Sequence, residues 1–238
     1  MSIQTIQLCK TYNANSDFPV HAVDHLDLTI QQGEFVAVMG PSGSGKTTLL
    51  NMLGGIDTPT SGDAIVDGYN VSKMTEKGKI AFRRDNIGFI FQDYSLLPVL
   101  TALENVEFVM QLQGHSEAEC RARALALLKK VGLDKHQNKR PAMLSGGQQQ
   151  RVAVARALAP RPKFVMADEP TANLDANSTA ELLDIMQQLN EQEGTTFIFS
   201  THDQRVITRA QRIIVFEDGR LTKDRQNPDY KRHTMSAS

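Results

Sequence analysis

Apolar and polar residues alternate along the first part of the chain. The segments "IQTIQLCKTY" and "VDHLDLTI" place apolar side chains at every second position, which is typical of antiparallel strands with one buried face. The next segment, "GEFVAVMG", is almost continuously apolar, as are strands buried in a parallel sheet. It leads into "GKTTLLNMLGG", which has helical spacing and ends at Gly54 and Gly55. The pattern therefore predicts an antiparallel β-subdomain followed by a strand and a helix.

The middle of the chain changes to a helical pattern. Two strands are predicted before it, within "GDAIVDGYNV" and "IGFIFQ". The segments "TALENVEFVMQLQG" and "SEAECRARALALLKKVGL" then repeat apolar residues at helical spacing, and Ser116 with Glu119 has the sequence of a capping box. We expect a mostly helical insert at about 94–159, inside an α/β core formed by 1–93 and 160–223.

The last part of the chain alternates between strands and helices again. It predicts strand "KFVMADEP", helix "STAELLDIMQQLNEQEG", strand "TTFIFSTH", helix "DQRVITRA" and a hairpin "RIIVFEDGRL" that turns at Asp218 and Gly219. Beyond Lys223 the sequence is polar and has no period, so we expect 224–238 to be a mobile tail. The predicted fold is a single α/β domain with a parallel sheet, an N-terminal antiparallel β-subdomain and an inserted α-helical subdomain.

The composition excludes several classes of protein. Of 238 residues, 40% are hydrophobic and 22% are charged, as in ordinary globular domains, and a net charge of −1 argues against binding nucleic acid or an anionic membrane. Cys9 and Cys120 lie far apart in sequence, which favours neither a disulfide framework nor a zinc site. We find no secretory signal and no apolar run of about 20 residues, so any membrane role is expected to come through a partner.

The first candidate for chemistry is a glycine-rich loop, "GPSGSGKTT", between a predicted strand and a predicted helix. It fits the phosphate-loop pattern G-x-x-x-x-G-K-[ST], in which glycines let the backbone curl around an anion. Lys46 supplies a positive charge for the β- and γ-phosphates, and the Thr47 hydroxyl can bind Mg²⁺. This loop predicts nucleotide binding but leaves kinases, GTPases, helicases and transport ATPases open. Its candidate residues are Gly40, Pro41, Ser42, Gly43, Ser44, Gly45, Lys46, Thr47 and Thr48.

A second candidate is the pair of acids at the end of "FVMADEP". Asp168 and Glu169 follow a buried strand, and open α/β sheets bind their ligands at that end of their strands. Asp168 suits Mg²⁺, and Glu169 is placed to orient or deprotonate an attacking water. Two adjacent acids could instead be solvated loop residues, but the phosphate loop favours hydrolysis.

A third candidate is a second turn suited to an anion, about a hundred residues after the first. In "LSGGQQQR", Ser145 is placed to cap a helix, and the first turn of a helix attracts negative charge. One nucleotide needs one phosphate loop. A second anion-binding helix start is explained if it serves a different nucleotide molecule.

Together these motifs resemble the ATP-binding subunit of ABC transporters, over Ile3 to about Lys223. "GPSGSGKTT" resembles Walker A, "FVMADEP" resembles Walker B and "LSGGQQQR" resembles the signature of the family. Three more segments have counterparts in the family: "FQDYSLLP" resembles the glutamine loop, "NLDA" the aspartate loop and "STHD" the segment that carries the switch histidine. All six segments follow one another along the chain in the order that the family shows.

The resemblance implies a set of site residues and two cofactors, ATP and Mg²⁺. The implied catalytic residues are Glu169 and His202. Tyr12 would stack on adenine, and Gln92, which follows a strand, would bind the nucleotide and the metal. The remaining implied residues are Ser145, Gly146, Gly147 and Gln148, which act in trans, Asp175 of the aspartate loop, and the metal ligands Thr47, Gln92 and Asp168.

The resemblance also implies partners and a location. In this family two copies pack head to tail, so the signature of each completes the nucleotide site of the other. An integral membrane permease subunit would be contacted near Tyr94–Pro98, which holds more apolar surface than a free loop shows. The expected location is the cytoplasmic face of the inner (plasma) membrane, peripheral through that partner. No nucleic acid partner is expected.

Within the family, the same motifs together with "GFIFQDYSLLP" and "LTALENV" are most similar to the bacterial subgroup of lipoprotein-release, macrolide-efflux and cell-division ATPases. A DNA-repair or chromosome-organising ATPase would need a long coiled coil between Gln92 and Ser145, where about fifty residues leave no room. Two alternatives stay open, a soluble ABC-type accessory ATPase and a non-transport regulatory ATPase.

Overall fold

The computed structural model describes residues 1–16 and 18–230 of the chain. Most of its strands form where the sequence alternates in polarity or runs apolar. The strands are β1 (Ser2–Tyr12), β2 (Val20–Gln31), β3 (Phe35–Met39), β4 (Ser61–Val66), β5 (Tyr69–Asn70), β6 (Ile87–Ile90), β7 (Phe164–Asp168), β8 (Thr196–Thr201), β9 (Arg212–Glu217) and β10 (Arg220–Gln226).

Most of the helices begin at polar caps that the sequence supplies. Thr101, Ser116 and Ser145 each start a helix with a capping box, and the one at Ser116 with Glu119 confirms the prediction. The helices are α1 (Lys46–Leu53), α2 (Glu76–Asn86), α3 (Ala102–Leu112), α4 (Glu117–Lys130), α5 (Gly146–Leu158), α6 (Ala176–Glu193) and α7 (Gln204–Arg209).

The strands form two sheets, as the predicted fold class requires. The N-terminal sheet is antiparallel with the order β2-β1-β4-β5. The second sheet has the order β10-β9-β3-β8-β7-β6, in which all neighbours are parallel except the edge pair of β9 and β10. Strand β8 lies between β3 and β7. The three segments that leave the carboxyl ends of these strands therefore meet at one edge of the sheet.

The parallel sheet separates two hydrophobic clusters because successive side chains of a strand point to opposite faces. In β8, Phe197 and Phe199 pack into a cluster with α6 and the inserted helices, whereas Ile198 packs into a cluster with α1 and the N-terminal sheet. Helices α3, α4 and α5 thus share one core with the sheet. The limits 94–159 of the insert remain a proposed division of a continuous packing unit.

Three parts of the chain differ from the sequence prediction. Helix α2 was not predicted, because "EKGKIAFRRDN" is mostly charged and only Lys79 and Phe82 are buried in it. The segment "GDAIVDGYNV" is two strands, separated by a turn with positive φ at Asp67 and Gly68.

The third difference is the segment that was expected to be a mobile tail from residue 224. Strand β10 continues to Gln226, and the Nδ2 of the buried Asn227 donates to the carbonyls of Ile207 (3.1 Å) and Ala210 (2.7 Å). The hydroxyl of Tyr230 accepts a hydrogen bond from Nε2 of Gln211 at 3.1 Å. The prediction is therefore wrong for 224–230, and residues 231–238 lie outside the described part of the chain.

Among the described residues, every helix is either too short or too polar to span the apolar layer of a membrane.

Candidate functional site

The phosphate loop lies between β3 and α1, pressed against neighbouring backbone. Gly45 has φ +100°, and a Cβ there would lie 1.8 Å from the carbonyl oxygen of Ala22. A Cβ at Gly40 would lie 1.9 Å from the carbonyl oxygen of Phe216. Since real side chains cannot approach backbone so closely, these two positions require glycine, as a loop that wraps an anion with its backbone does.

Lys46 lies inside this loop. Its Nζ donates to the carbonyl oxygens of Gly40 (2.9 Å) and Pro41 (2.8 Å), and the residue is 7% exposed. Burial lowers the pKa of Lys46, and the carboxylates of Glu169 and Asp168 partly offset that effect. The ammonium is thus held beside the loop at the carboxyl edge of the sheet, facing both acids.

Two side chains whose oxygen atoms suit Mg²⁺ as ligands meet between α1 and β7. The hydroxyl of Thr47 donates to Oδ1 of Asp168 at 2.9 Å. A hydroxyl and a carboxylate are hard oxygen ligands of the kind Mg²⁺ prefers, so these residues fit the implied metal. The contact found for Gln92, the third implied ligand, is through its main chain, where its carbonyl oxygen accepts from Nδ2 of Asn173 at 3.0 Å.

Glu169 and His202 are brought together from two adjacent strands. Nδ1 of His202 donates to Oε1 of Glu169 at 2.7 Å, and the hydroxyl of Thr201 donates to Oε2 at 3.3 Å. The Glu169 side chain is 16% exposed and that of His202 is 69% exposed. Glu169 also has a φ of +45°, a conformation that non-glycine residues adopt mainly where function or close packing demands it. The carboxylate is therefore oriented at both oxygens.

The signature begins helix α5 in the predicted way. The Ser145 hydroxyl accepts from the N–H of Gln148 at 3.3 Å, and Oε1 of Gln148 accepts from the N–H of Ser145 at 3.1 Å. A Cβ at Gly146 would lie 2.8 Å from the hydroxyl of Tyr94, and a Cβ at Gly147 would lie 3.1 Å from Oγ of Ser178. Because neither glycine has a Cβ, the side chains of Tyr94 and Ser178 pack directly against the start of α5. The start of the signature helix therefore contacts the segment after Gln92.

Asp175 caps helix α6 next to the signature. Its Oδ1 accepts from the N–H of Asn177 (3.0 Å) and Ser178 (3.0 Å), and its Oδ2 accepts from the Ser178 hydroxyl at 2.6 Å. The side-chain bond from Ser178, aided by these N–H groups, lowers the pKa of Asp175. Since Ser178 also lies against Gly147, the aspartate loop and the signature of one chain contact each other.

Tyr12 ends β1 and is fixed by two charged residues that the sequence did not single out. Its hydroxyl donates to Oδ2 of Asp57 at 2.6 Å, and Nζ of Lys10 lies 4.8 Å from the centre of its ring. Burial and the bond to Asp57 raise the pKa of Tyr12. The residue as a whole is 38% exposed and so retains surface for a ligand.

A groove with a volume of about 450 Å³ lies between α2, β6, α3 and α5. Of the segment predicted to meet a partner, Ser95 and Leu97 line it, Leu96 packs against the hydrophobic core and Tyr94 lies against Gly146. The floor holds Arg156, whose Nη2 donates to the carbonyl of Tyr94 at 3.0 Å. No local sequence pattern distinguishes Arg156 from other charged residues of an amphipathic helix. The sequence therefore did not indicate that this residue lines the groove and holds the carbonyl of Tyr94.

Comparison with known proteins agrees with this geometry. A family model described as ABC transporter matches residues 23–172. The macrolide export ATP-binding/permease protein MacB of Hyphomonas neptunium is 46% identical over 216 residues, which cover 91% of this chain and 33% of that protein. The chain therefore spans about a third of the length of this curated relative, and the likeness confirms the predicted subgroup.

Two solved structures cover nearly the whole chain. The dimeric post-hydrolysis state of the ATP-binding cassette MJ0796, bound to ADP and Pi, superposes with a TM-score of 0.87 at 40% identity, covering 94% of this chain and 98% of that one. The dimeric structure of the bacterial ABC transporter cassette MJ0796 superposes with a TM-score of 0.87 at 41% identity, with the same coverage. The chain therefore belongs to the ABC transporter family, of which it is an ATP-hydrolysing cassette.

Proposed function

We propose that two copies of this chain pack head to tail around two Mg-ATP molecules and couple hydrolysis to a conformational change in a membrane permease. The machine would serve export, lipoprotein release or force transmission from the cytoplasmic face of the inner membrane. The observation that carries this proposal is the meeting of Lys46, the Thr47–Asp168 pair and the Glu169–His202 pair at one edge of the sheet.

Hydrolysis joins a water oxygen to the γ-phosphorus and breaks the bond from that phosphorus to the bridging oxygen, which leaves on ADP. Glu169 takes the proton of the water as its oxygen attacks, and His202 and Thr201 hold the carboxylate in place. Lys46 exchanges its bonds to loop carbonyls for bonds to phosphate oxygens, where its charge offsets the negative charge. Mg²⁺ held by Thr47 and Asp168 would neutralise phosphate charge, with Gln92 as the further expected ligand.

The signature supports a site shared between two copies. A complete phosphate loop already serves the chain's own nucleotide, so the helix start at Ser145 is available to a second one. The hydroxyl of Ser145 and the first N–H groups of α5, at Gly146 and Gly147, would face the γ-phosphate held by the other copy's Lys46. Two shared sites make ATP the ligand that favours the closed dimer, and hydrolysis removes that preference.

The groove supports contact with a membrane partner. Its rim carries exposed apolar side chains, among them Ile80 (59% exposed), Leu112 (56%) and Leu97 (37%). Arg83 and Arg156 add positive charge, whereas Arg84 is paired with Asp85 at 2.7 Å. A short amphipathic helix with acidic residues beside an apolar face fits such a surface. We infer that this helix belongs to an integral membrane permease subunit. Copurification with a membrane protein would support transport over a soluble accessory or regulatory ATPase.

The dimer is tested with Glu169→Gln, which removes the proton acceptor and keeps the shape of the side chain. This variant is expected to bind ATP and to elute as a dimer on gel filtration with Mg-ATP and as a monomer without nucleotide. Lys46→Ala, which lacks the phosphate contact, is the matched control and is expected to elute as a monomer under both conditions. A Glu169→Gln variant that binds ATP and stays monomeric would contradict the proposal.

The shared site has its own test. Ser145→Arg and Lys46→Ala chains are each expected to lack ATPase activity alone, because both sites of each homodimer are defective. In a mixed dimer, the phosphate loop of the Ser145→Arg chain meets the intact signature of the other chain, so activity returns at one site. A mixture as inactive as its components would show that the signature does not act in trans.

A further inference from the structure

We propose that Lys10 and Asp57 are positioning residues for the nucleotide base, which hold the ring of Tyr12 at a fixed place relative to the phosphate loop. The proposal rests on the proposed function, in which Tyr12 stacks on that base. It adds a charged pair, here named the Tyr12 brace, that no motif of the chain contains.

The brace uses both oxygens of one carboxylate. Oδ2 of Asp57 accepts from the Tyr12 hydroxyl at 2.6 Å, and Oδ1 accepts from Nζ of Lys10 at 2.6 Å. The same Nζ lies 4.8 Å from the centre of the Tyr12 ring. Ammonium, carboxylate and phenol thus form a closed group in which the ring is held at its hydroxyl and on one face, leaving its other face for a stacked base.

The brace is connected directly to the helix that follows the phosphate loop. In the last turn of α1, the carbonyl of Asn51 accepts a hydrogen bond from the N–H of Asp57 at 3.1 Å. Because the same helix begins at Lys46, the residue that holds the Tyr12 hydroxyl is bonded to the helix that carries the phosphate-loop lysine.

The charges of the brace balance each other. The side chains of Lys10 and Asp57 are 13% and 25% exposed. Burial alone would raise the pKa of Asp57, but the bonds from Lys10, Tyr12 and the N–H of Thr58 outweigh it and hold that pKa below its usual value. A carboxylate close to a tetra-anionic ligand would repel it, and the adjacent ammonium removes most of that repulsion.

A purely structural role, in which the pair fastens the segment between α1 and β4 to β1, is less well supported. That segment is fastened independently, since the N–H of Thr60 donates to the carbonyl of Cys9 at 2.8 Å and the Thr60 hydroxyl accepts from the N–H of Thr11 at 3.0 Å. The Lys10 ammonium adds a bond to the carbonyl of Thr58 at 2.7 Å, so the pair also supports this segment. The placement of the Tyr12 ring depends on the pair more directly, through the hydroxyl and one face of the ring.

The test compares a ligand that has a base with one that lacks it. We would measure KM and kcat for Mg-ATP and the inhibition constant of inorganic tripolyphosphate, using the full chain. Asp57→Asn and Lys10→Met are expected to raise KM for Mg-ATP about tenfold. Both kcat and the inhibition constant of tripolyphosphate are expected to change less than about twofold. Lys10→Arg, which keeps the positive charge, is expected to retain most of the affinity for Mg-ATP that Lys10→Met loses.

Two further variants separate the brace from the ring. Tyr12→Phe keeps the ring without its hydroxyl and is expected to behave like Asp57→Asn. In a Tyr12→Ala background, Asp57→Asn is expected to change KM no further, because no ring remains to be positioned. Asp63→Asn, which breaks the 3.0 Å ion pair with Lys73 on the same sheet, is the matched control and is expected to leave KM unchanged.

The outcomes distinguish this proposal from the proposed function. If Asp57→Asn weakens the binding of tripolyphosphate as much as that of ATP, the pair is structural and the proposed brace is wrong. The same conclusion follows if Asp57→Asn raises KM further in the Tyr12→Ala background. If Tyr12→Ala raises KM while Asp57→Asn does not, the base platform stands without the brace. If Tyr12→Ala leaves KM unchanged while Lys46→Ala abolishes binding, the base platform and the brace are both wrong, but the ATPase assignment is untouched.

Discussion

Nδ1 of His202 lies 2.7 Å from Oε1 of Glu169, so the residue after β8 holds the carboxylate that follows β7. The two strands are direct neighbours in the sheet, and Asp168 is paired with Ser200 in their register. The contact therefore follows from strand order, and no flexible loop has to close to form it. Such a preformed pair can orient a proton acceptor before the substrate arrives.

His202→Ala is expected to lower kcat by at least about a hundredfold, because the carboxylate loses the donor that orients it. ATP binding, measured by fluorescence of a labelled nucleotide, is expected to change little. The control is His25→Ala, since the His25 side chain is also 69% exposed and also contacts an aspartate, Asp24, through Nδ1. Equal loss of activity in both variants would show that the effect is not specific to the site.

Gly146→Ala is expected to reduce both ATP-dependent dimerisation and ATPase activity. A Cβ at Gly146 would lie 2.8 Å from the Tyr94 hydroxyl, so the tyrosine must move and disturb the segment after Gln92. Adding Tyr94→Phe removes the hydroxyl and is expected to restore activity. Gly78→Ala in α2, where a Cβ meets neighbours at ordinary distances of 3.4 Å and more, is the control. A double variant as impaired as Gly146→Ala alone would contradict the proposed contact.

The parts of the candidate site that the sequence predicts are those whose residues are contiguous. The phosphate loop, the acids after β7 and the cap at Ser145 are each read within a few residues, because a turn or a helix start is decided locally. Lys10 and Asp57 are 47 residues apart and meet only after β1 and α1 have packed. Arg156 and Tyr94, 62 residues apart, meet in the same way. Long-range polar contacts of this kind leave no periodic signal in one sequence.

The fold shows the same limit at its weakly patterned segments. Helices α3 and α4 were predicted because apolar stripes and caps agree with each other. Helix α2 was missed because the residues that it buries are Lys79 and Phe82, which make no apolar stripe in a mostly charged segment. Residues 224–226 were missed because an edge strand needs few apolar residues when its neighbour β9 supplies the buried face.

Leu97→Asp is expected to abolish binding to the membrane partner and to leave the ATPase activity of the isolated chain within about twofold. Leu97 lines the groove, and a carboxylate there opposes burial of an apolar helix face. Leu125→Asp is the control, because Leu125 is also 37% exposed but lies on α4 outside the groove. Copurification of the permease with each variant is the measurement. Loss of nucleotide binding by Leu97→Asp would instead assign this side chain to the core.

Glu107→Gln is expected to stabilise the chain at neutral pH and to have no effect in acid. Glu107 is 6% exposed, its Oε1 accepts no hydrogen bond within the described residues, and the nearest cationic atom, Nη1 of Arg121, is 3.9 Å away. Burial, with the charges of Glu104 and Glu117, raises the pKa of Glu107 above its usual value of 4.5, against the attraction of Arg121.

The folded state therefore holds the Glu107 proton more tightly than the unfolded state, so this group lowers the free energy of unfolding as pH rises from the unfolded pKa through the folded one. Glutamine mimics the protonated form, and its gain of about 1 kcal/mol should be complete above the folded pKa and absent below the unfolded one. Glu104→Gln is the control, and its effect on the free energy of unfolding is expected to have the opposite sign. The N–H of Thr101 lowers the pKa of Glu104, so the ionised Glu104 stabilises the folded state at neutral pH and this stabilisation is lost in acid. Urea unfolding at pH 4 and pH 8 measures both variants, and a gain for Glu107→Gln that persists at pH 4 would show that packing, not the buried charge, is responsible.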